Sequence, residues 1–513
     1  MSKKISIVFA LLVGVLVGIL LVVNLDIMDV ALGQNKTKSI GRKNYQPPSS
    51  STFLRQLNQS LQSVVSVVKP SVVTIDVEAN LNNAEKSKED FREDEELNPF
   101  FFFRQPRGKQ KDDYIPIRAS GSGVIVSSEG YIVTNNHVIE RVKEKGSITV
   151  TLDDKRQFSA KIIGRDPLTD LAVIKIDGTD LQSISFGNSK DVQVGDFVLA
   201  IGNPLGLNST VTAGIVSAYG RSIRIIDDSY GVEYFIQTDA AINSGNSGGA
   251  LVDVDGRLIG INTAIATKTG GYDGYGFAIP IDLAESVIMD LIENGKVLRG
   301  YLGVSIRSVD AVTAKAMDLK KPEGVLVENI LENSGAAEAG VKAGDIIIEV
   351  NDEKVKEANQ LQSIIARKKP NEKIKLTLIR NKQLMTYYVY LKAKSGEKGF
   401  VANSVKNESN PKTYEDRRIG LVVSVQNKVD TKSDEKVTGV EVTQVVPFSI
   451  AQRRGVLVGD VIVEVSSKVV RSLNDFENYV KEKKPGEAIL LRIKRKGNTS
   501  FVALEIPDEE VKR

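Results

Sequence analysis

The 513-residue chain has no cysteine. That excludes disulfides, thiolate nucleophiles and cysteine-ligated zinc or iron–sulfur sites. It leaves the redox compartment open, because a cysteine-free chain survives in any of them. The chain has a single histidine, His137. No multi-histidine metal site can form within one chain, and any imidazole acid–base chemistry must use this residue. An excess of charge is also missing: 68 basic and 65 acidic residues leave a net charge of +3. Nucleic-acid binding, which usually needs a strongly basic domain, gains no support. No cofactor is implied. Apolar residues at 41% and charged residues at 26% are ordinary for a globular protein. The length suggests about three domains.

Long uncharged runs are scarce, and the one at the N-terminus stands out. Lys3 and Lys4 precede Ile5 to Val23, in which only Ser6 is polar. This is about the length that spans a bilayer, and the basic flank predicts a cytoplasmic N-terminus with the remaining chain outside. The alternative is a cleaved signal peptide, which would leave a secreted or periplasmic protein. The run is longer than a usual signal core, and no clean A-x-A site follows. The expectation is a single-pass membrane anchor over 1–28.

Residues 29–60 are polar, with Pro47-Pro48 and a serine run, and read as a tether. From Val64 to Ile281 short β-branched runs alternate with glycine, among them Val72–Val77, Ser122–Val126, Ile148–Leu152, Leu171–Ile176, Phe197–Ile201 and Leu258–Ile265. Many short strands with frequent turns predict an all-β barrel or sandwich over 61–295. The charged segment 79–118 interrupts it and reads as a long loop rather than a strand pair. A helix is expected at Asp282–Glu293, with Asp282 as N-cap and Gly295 near its end. Beyond it, Gly340-Val341, Gly344-Asp345, Val350, Pro370 and Arg380 recur 115 residues later as Gly455-Val456, Gly459-Asp460, Val465, Pro485 and Arg495. Two copies of one small domain are expected, over 298–395 and 416–507, joined by a polar linker at 396–415.

His137 lies in Thr134-Asn135-Asn136-His137-Val138, Asp170 opens the apolar run of Leu171-Ala172, and Ser247 is flanked by glycine in Gly245-Asn246-Ser247-Gly248-Gly249. A serine hydroxyl is a weak nucleophile. It needs a base to take its proton, and the base needs a carboxylate to fix its tautomer. Ser247, His137 and Asp170 supply these three functions. Gly245 and Gly248 permit a tight turn that exposes the serine. The Gly245-Asn246-Ser247 turn is the candidate oxyanion hole, through the amides of Gly245 and Ser247. Each feature alone has a plainer reading: a glycine turn, a structural histidine, a turn-capping aspartate.

Together these motifs, with Gly202-Asn203-Pro204-Leu205-Gly206, resemble the HtrA/Deg family of extracytoplasmic serine proteases over about residues 61–507. The resemblance implies a mainly β fold: a chymotrypsin-like double β-barrel plus two PDZ domains, each a β-sandwich with helices, preceded by one N-terminal transmembrane helix. It places Ala241, six positions before the nucleophile, at the base of the specificity pocket. With Ile242 beside it and Ala266 as a possible wall, the pocket should take a small or medium apolar residue. Digestive relatives of the fold carry aspartate just before the nucleophile, to pair with a newly cut N-terminus; here that residue is Asn246. Control is therefore expected from loops: 79–118, Gly202–Leu207, Ser222–Tyr230 and Thr267–Tyr275.

The resemblance also places a carboxylate-binding loop at the head of each repeat, Tyr301-Leu302-Gly303-Val304 and Arg418-Ile419-Gly420-Leu421. PDZ domains add an extended peptide to a sheet edge and hold its carboxylate in backbone amides. With no histidine in either copy, apolar C-termini are the expected ligands. Phe100–Phe103 reads as an intermolecular contact or as packing within its own domain; the family forms trimers and larger homo-oligomers. The expected function is ATP-independent endoproteolysis of misfolded exported proteins. The alternatives are a signalling protease with one membrane substrate and a holdase chaperone with secondary proteolysis.

Overall fold

The computed structural model describes residues 2–24, 52–80, 116–140, 146–203, 209–226, 228, 230–243, 245–265, 274–393, 413–425, 438–447, 449–495 and 498–507. It divides into two compact units, Met1–Ser60 and Leu61–Arg513. The first contains the helix Ser2–Asn24. Among the described residues no helix is long and apolar enough to cross a membrane, so the expected transmembrane anchor is not supported. The tether expected at 29–60 is also not wholly irregular, because a helix occupies Thr52–Val68. Its Val64 and Val68 are buried in the core described next.

Twelve strands form two closed six-stranded barrels, the chymotrypsin-like arrangement. The first joins β1 (Val72–Asn80), β2 (Pro116–Ile125), β3 (Tyr131–Asn135), β4 (Ser147–Thr151), β5 (Gln157–Asp166) and β6 (Leu171–Ile176) in the order β1-β2-β3-β6-β5-β4. The second joins β7 (Phe197–Gly202), β8 (Thr210–Arg221), β9 (Phe235–Thr238), β10 (Ala250–Val252), β11 (Leu258–Ile265) and β12 (Gly276–Pro280) in the order β10-β11-β12-β9-β8-β7. The period-2 alternation of strand side chains explains why β6 is almost wholly apolar. Ala172, Ile174 and Ile176 fill the first barrel, while Leu171 and Val173 face a cluster shared with the second barrel and with Leu291. Burying each of the larger side chains stabilises by about 1.5–3 kcal/mol. The site expected from Asp170 therefore hangs from a strand anchored on both faces.

Several boundaries differ from the sequence reading. The helix after the barrels runs Ile281–Asn294, with Pro280 as N-cap. Asp282 lies inside its first turn, and its carboxylate accepts from Ser189 N at 3.0 Å instead of capping the helix. Gly295 does end it, at φ 68°. The segment 79–118 is not a loop throughout: residues 79–80 and 116–118 belong to β1 and β2, which pair in register from Val72↔Val124 to Asn80↔Pro116. Phe100–Phe103 lies outside the described residues.

Each repeat folds as one antiparallel sheet with short helices. The first contains β13 (Val304–Ser308), β14 (Val325–Ile330), β15 (Ile346–Val350), β16 (Glu353–Lys354), β17 (Lys373–Arg380) and β18 (Gln383–Tyr390), ordered β13-β14-β15-β17-β18 with β16 on β15. The second contains β19 (Thr413–Asp416), β20 (Leu421–Val425), β21 (Val440–Val445), β22 (Val461–Val465), β23 (Lys468–Val469), β24 (Ala488–Arg495) and β25 (Asn498–Glu505), ordered β19-β20-β21-β22-β24-β25 with β23 on β22. The recurring Gly-Asp and Arg have a structural cause. Arg380 donates to both carboxylate oxygens of the buried Asp345, at 2.5 and 2.6 Å, and to Gly340 O. Arg495 does the same with Asp460, at 2.6 and 2.7 Å, and with Gly455 O. These charge-assisted hydrogen bonds raise both guanidinium groups above their ordinary values. The linker expected at 396–415 is shorter by its last three residues, which belong to β19.

Candidate active site

The three residues singled out in the sequence converge where the barrels meet. β3 runs into the short helix Asn136–Ile139, which carries His137. Asp170 ends the β5–β6 turn at φ 56°, a left-handed conformation that aspartate tolerates better than most residues. That turn lets Asp170 O accept from Asn136 N at 3.0 Å and from Asn135 Nδ2 at 3.1 Å. Its carboxylate is fully used. Oδ1 accepts from His137 N at 3.0 Å, and Oδ2 lies 2.8 Å from His137 Nδ1. Thr263 Oγ1 donates to the same Oδ2 at 2.7 Å. Since a carboxylate only accepts, Nδ1 carries the ring proton and Nε2 is the basic nitrogen. The two side chains are 8% and 7% exposed, so water does little to screen the pair.

Ser247 Oγ donates to Thr263 O at 3.1 Å. Thr263, on β11, thus touches both the carboxylate and the serine, and the sequence reading missed it. Ser122 was missed as well. Its hydroxyl donates to Gly245 O at 2.5 Å and accepts from Asn203 N at 2.8 Å, and its own N–H donates to Ser247 O at 2.8 Å. It fixes the serine turn from the opposite barrel. Neither residue has a local sequence signal, because each acts through contacts distant along the chain.

The turn itself depends on glycine. Gly245 and Gly248 have φ of 101° and 84°. A Cβ on Gly248 would run into Ser122 O and Thr134 Oγ1. Of the three residues expected at the oxyanion hole, Asn246 has its amide committed to Asn243 O at 2.9 Å. Among the described residues the amides of Gly245 and Ser247 have no acceptor. Ala241 O accepts from Thr212 Oγ1 at 2.8 Å, while Ile242 is buried in the apolar interior of the second barrel. Ala266 lies outside the described residues, as do 204–208 and 266–273 of the expected control loops.

The first repeat touches this machinery. Arg299 donates to both oxygens of Asp166, at 2.7 and 2.5 Å, and both residues are buried. Thr169 Oγ1 donates to the same carboxylate, in the turn that ends at Asp170. Leu168 O in that turn accepts from Val232 N at 2.8 Å. Next to Val232, the buried Glu233 carboxylate gathers Ser222 Oγ and the amides of Ile223, Arg224, Ile225 and Ile226 at 2.6–2.9 Å. Burial raises its carboxyl, but the Ile226, Arg224 and Ile225 amides and the Ser222 hydroxyl outweigh this and hold it below the ordinary glutamate range. Tyr230 of the same loop meets Tyr301 edge to face, with ring centroids 5.5 Å apart.

Tyr301-Leu302-Gly303-Val304 leads into β13, which is an edge strand, and Leu302 is buried in the domain core. Among the described residues the amides of Leu302 and Gly303 have no acceptor. Arg418-Ile419-Gly420-Leu421 leads into β20, where the surroundings differ, because β19 lies beside it.

A family model described as a trypsin-like peptidase domain matches residues 121–261. One described as a PDZ domain matches 300–391 and 417–506, which leaves Thr413–Asp416 just outside the second match. A probable periplasmic serine endoprotease DegP-like of Marinomonas sp. (strain MWYL1) is 38% identical over 452 residues, covering 87% of this chain and 93% of that one. Its counterpart from Bartonella henselae (strain ATCC 49882 / DSM 28221 / CCUG 30454 / Houston 1) is 40% identical over 471 residues, covering 87% and 90%. The solved structure of the HtrA-type protease AlgW with tripeptide has a TM-score of 0.50 at 37% identity, covering 66% of this chain and 98% of that one. The chain therefore belongs to the HtrA/DegP-like serine endoproteases, with a trypsin-like peptidase domain followed by two PDZ domains.

Proposed function

We propose that the protein is an ATP-independent endoprotease of the periplasm that degrades misfolded exported proteins, with Ser247 as nucleophile, His137 as general base and then acid, and Asp170 as the orienting carboxylate. The observation that carries this reading is the double grip of Asp170 on His137, at backbone N and ring Nδ1, which leaves Nε2 basic. In the first step Ser247 Oγ leaves Thr263 O, gives its proton to Nε2 and attacks the scissile carbonyl. The amides of Gly245 and Ser247 receive the oxyanion, and loss of one such donor costs about 3 kcal/mol of transition-state stabilisation. The imidazolium then protonates the leaving amine, and water repeats the cycle on the acyl-enzyme.

Neither Ala241 nor Ile242 carries a carboxylate to hold a basic side chain, which supports cleavage after small or medium apolar residues. Periplasmic location is supported by the relatives, which are described as probable periplasmic serine endoproteases. The apolar N-terminal segment would direct export, and the mass of the mature protein tells cleavage from retention. The first PDZ domain would take apolar C-termini in an assembly of several copies. The test is β-casein cleavage by the fragment from Gln34 onward beside Ser247→Ala. Cleavage by the parent alone, after apolar residues, is expected. Equal cleavage by both would remove Ser247 from the mechanism, and cleavage after lysine or arginine would remove the apolar pocket.

A further inference from the structure

The second PDZ sheet has one strand more than the first, and that strand lies where a peptide would bind. In the first domain β13 is an edge: among the described residues it pairs only with β14. Its counterpart β20 pairs with β21 on one side and with β19 on the other. β19 is antiparallel to β20, in the register Thr413↔Ser424, Tyr414↔Val423, Glu415↔Val422 and Asp416↔Leu421. Strand addition to a sheet edge is the way such a domain binds a ligand.

The side chains of β19 fit the same description. Tyr414 and Asp416 face inward, while Thr413 and Glu415 are exposed. The Tyr414 ring packs edge to face on Phe476, 6.1 Å between centroids, and Phe476 is a fully buried residue of the helix Leu473–Lys481 that flanks β20. Asp416 is 4% exposed and sits over the carboxylate-binding loop. Its Oδ1 accepts from Arg418 N at 3.0 Å and Ile419 N at 3.4 Å, its Oδ2 from Arg418 Nη2 at 2.8 Å, and its backbone O from Gly420 N at 2.9 Å. The loop amides that have no acceptor among the described residues of the first domain are thus taken in the second by Asp416 of the same chain, Ile419 N by its carboxylate and Gly420 N by its backbone O. Arg418 also reaches Val480 O and Lys483 O, joining loop and helix across the groove. Gly420, at φ 77°, is needed here, because a Cβ would strike Ser449.

We propose that Thr413–Asp416 is a built-in ligand of the second PDZ groove, and that this groove accepts an external peptide only when the segment leaves. Any competitor must offer the same chemistry: an extended strand with a carboxylate over the loop and an aromatic side chain two residues earlier. The first domain, with its open edge, is then the peptide reader of the resting protein. The proposal extends the peptide-binding part of the reading above and is independent of its proteolytic part.

The absence of native cysteine allows a clean test in the full chain carrying Ser247→Ala. Glu415→Cys and Val422→Cys face each other in register, within the Cα separation that antiparallel neighbours and disulfides share. Tyr414→Ala is added to weaken docking of the segment. The probe is a decapeptide ending in Thr-Tyr-Glu-Asp with a free carboxylate, and calorimetry counts the equivalents bound. The reduced protein should bind one equivalent more than the oxidised one. Binding by the first domain cancels in this difference, so its failure leaves the test intact. Without Tyr414→Ala, the reduced protein should bind the probe at least tenfold more weakly at the second domain. Equal stoichiometry in the two redox forms would overturn the proposal, as would failure of the cysteine pair to oxidise.

Discussion

The two PDZ domains share a frame and differ at one position that decides what each frame does. The frame is the same buried aspartate on the same arginine, Asp345 with Arg380 and Asp460 with Arg495. The difference lies four residues before the loop glycine. In the first domain this residue is Arg299, which reaches out of the domain to Asp166 beside the triad turn. In the second it is Asp416, which turns back onto its own loop. One charge reversal at an equivalent place couples one domain to the protease and closes the other on itself. A repeat therefore conserves packing more readily than it conserves the use of its edges.

Removing Arg299 is the most severe way to break this comparison. Its ion pair with Asp166 is buried on both sides, and deleting one partner of such a pair costs about 3–5 kcal/mol, because the other charge is left uncompensated. Arg299→Ala should split a single cooperative melt of protease and first PDZ domain into two transitions in calorimetry. Asp416→Ala should leave that melt unchanged, since Asp416 touches only its own domain. A single unshifted transition for Arg299→Ala would mean that the two domains are not coupled through this pair.

The candidate triad was legible because the chain has a single histidine, a serine in Gly245-Asn246-Ser247-Gly248-Gly249, and an aspartate at the head of the apolar run Leu171-Ala172. The barrels were legible from short β-branched runs, and Leu171–Ile176 and Leu258–Ile265 match β6 and β11 residue for residue. Thr263 and Ser122 were not legible. Each is an ordinary polar residue in a strand, and its importance comes from partners 93 and 123 positions away. β19 was hidden for a related reason. Thr-Tyr-Glu-Asp sits at the end of a polar linker and lacks the apolar alternation of a core strand, so only its partner strand makes it a strand. The helix start was missed by one residue because Asp282 is a good N-cap by type, but its carboxylate is used by Ser189.

A milder way to sharpen the comparison acts on the acid side and on the protease loop that meets the first PDZ domain. Glu233 organises the loop whose Tyr230 meets Tyr301. Its folded-state carboxyl is held below the ordinary range, so its stabilisation is fully present above that range. It is lost as pH falls through the depressed value. Glu233→Gln reproduces the loss at neutral pH, because one amide oxygen replaces two charged acceptors, at a cost of about 1–3 kcal/mol. Hydrogen exchange at Ile223–Ile226 should accelerate by about tenfold to a hundredfold in the variant. The second domain should exchange as in the parent. Acceleration in the second PDZ domain as well would show a global rather than a local effect.

The smallest effect lies on the alkaline side and belongs to the second domain. Burial pushes the Tyr414 phenol up to about 12, with the charges of Asp416 and Glu477 adding to the rise and Arg418 opposing it. A raised acid favours its neutral form in the folded state. The contribution of Tyr414 to docking is therefore complete below the ordinary tyrosine value near 10 and fades as pH rises toward 12. The Lys481 ammonium also faces this ring, 5.9 Å from its centroid. Burial also raises Tyr219 and Tyr234, so phenolate absorbance should show one late-titrating tyrosine fewer in Tyr414→Phe than in the parent. Protection of the Leu421–Val425 amides should decline over the same window in the parent and less steeply in the phenylalanine variant. The Val304–Ser308 amides, on an edge without an added strand, have no such protection to lose. If β13 and β20 lost protection together, the second edge would be no more covered than the first, and the distinction between an open reader and a closed one would fail.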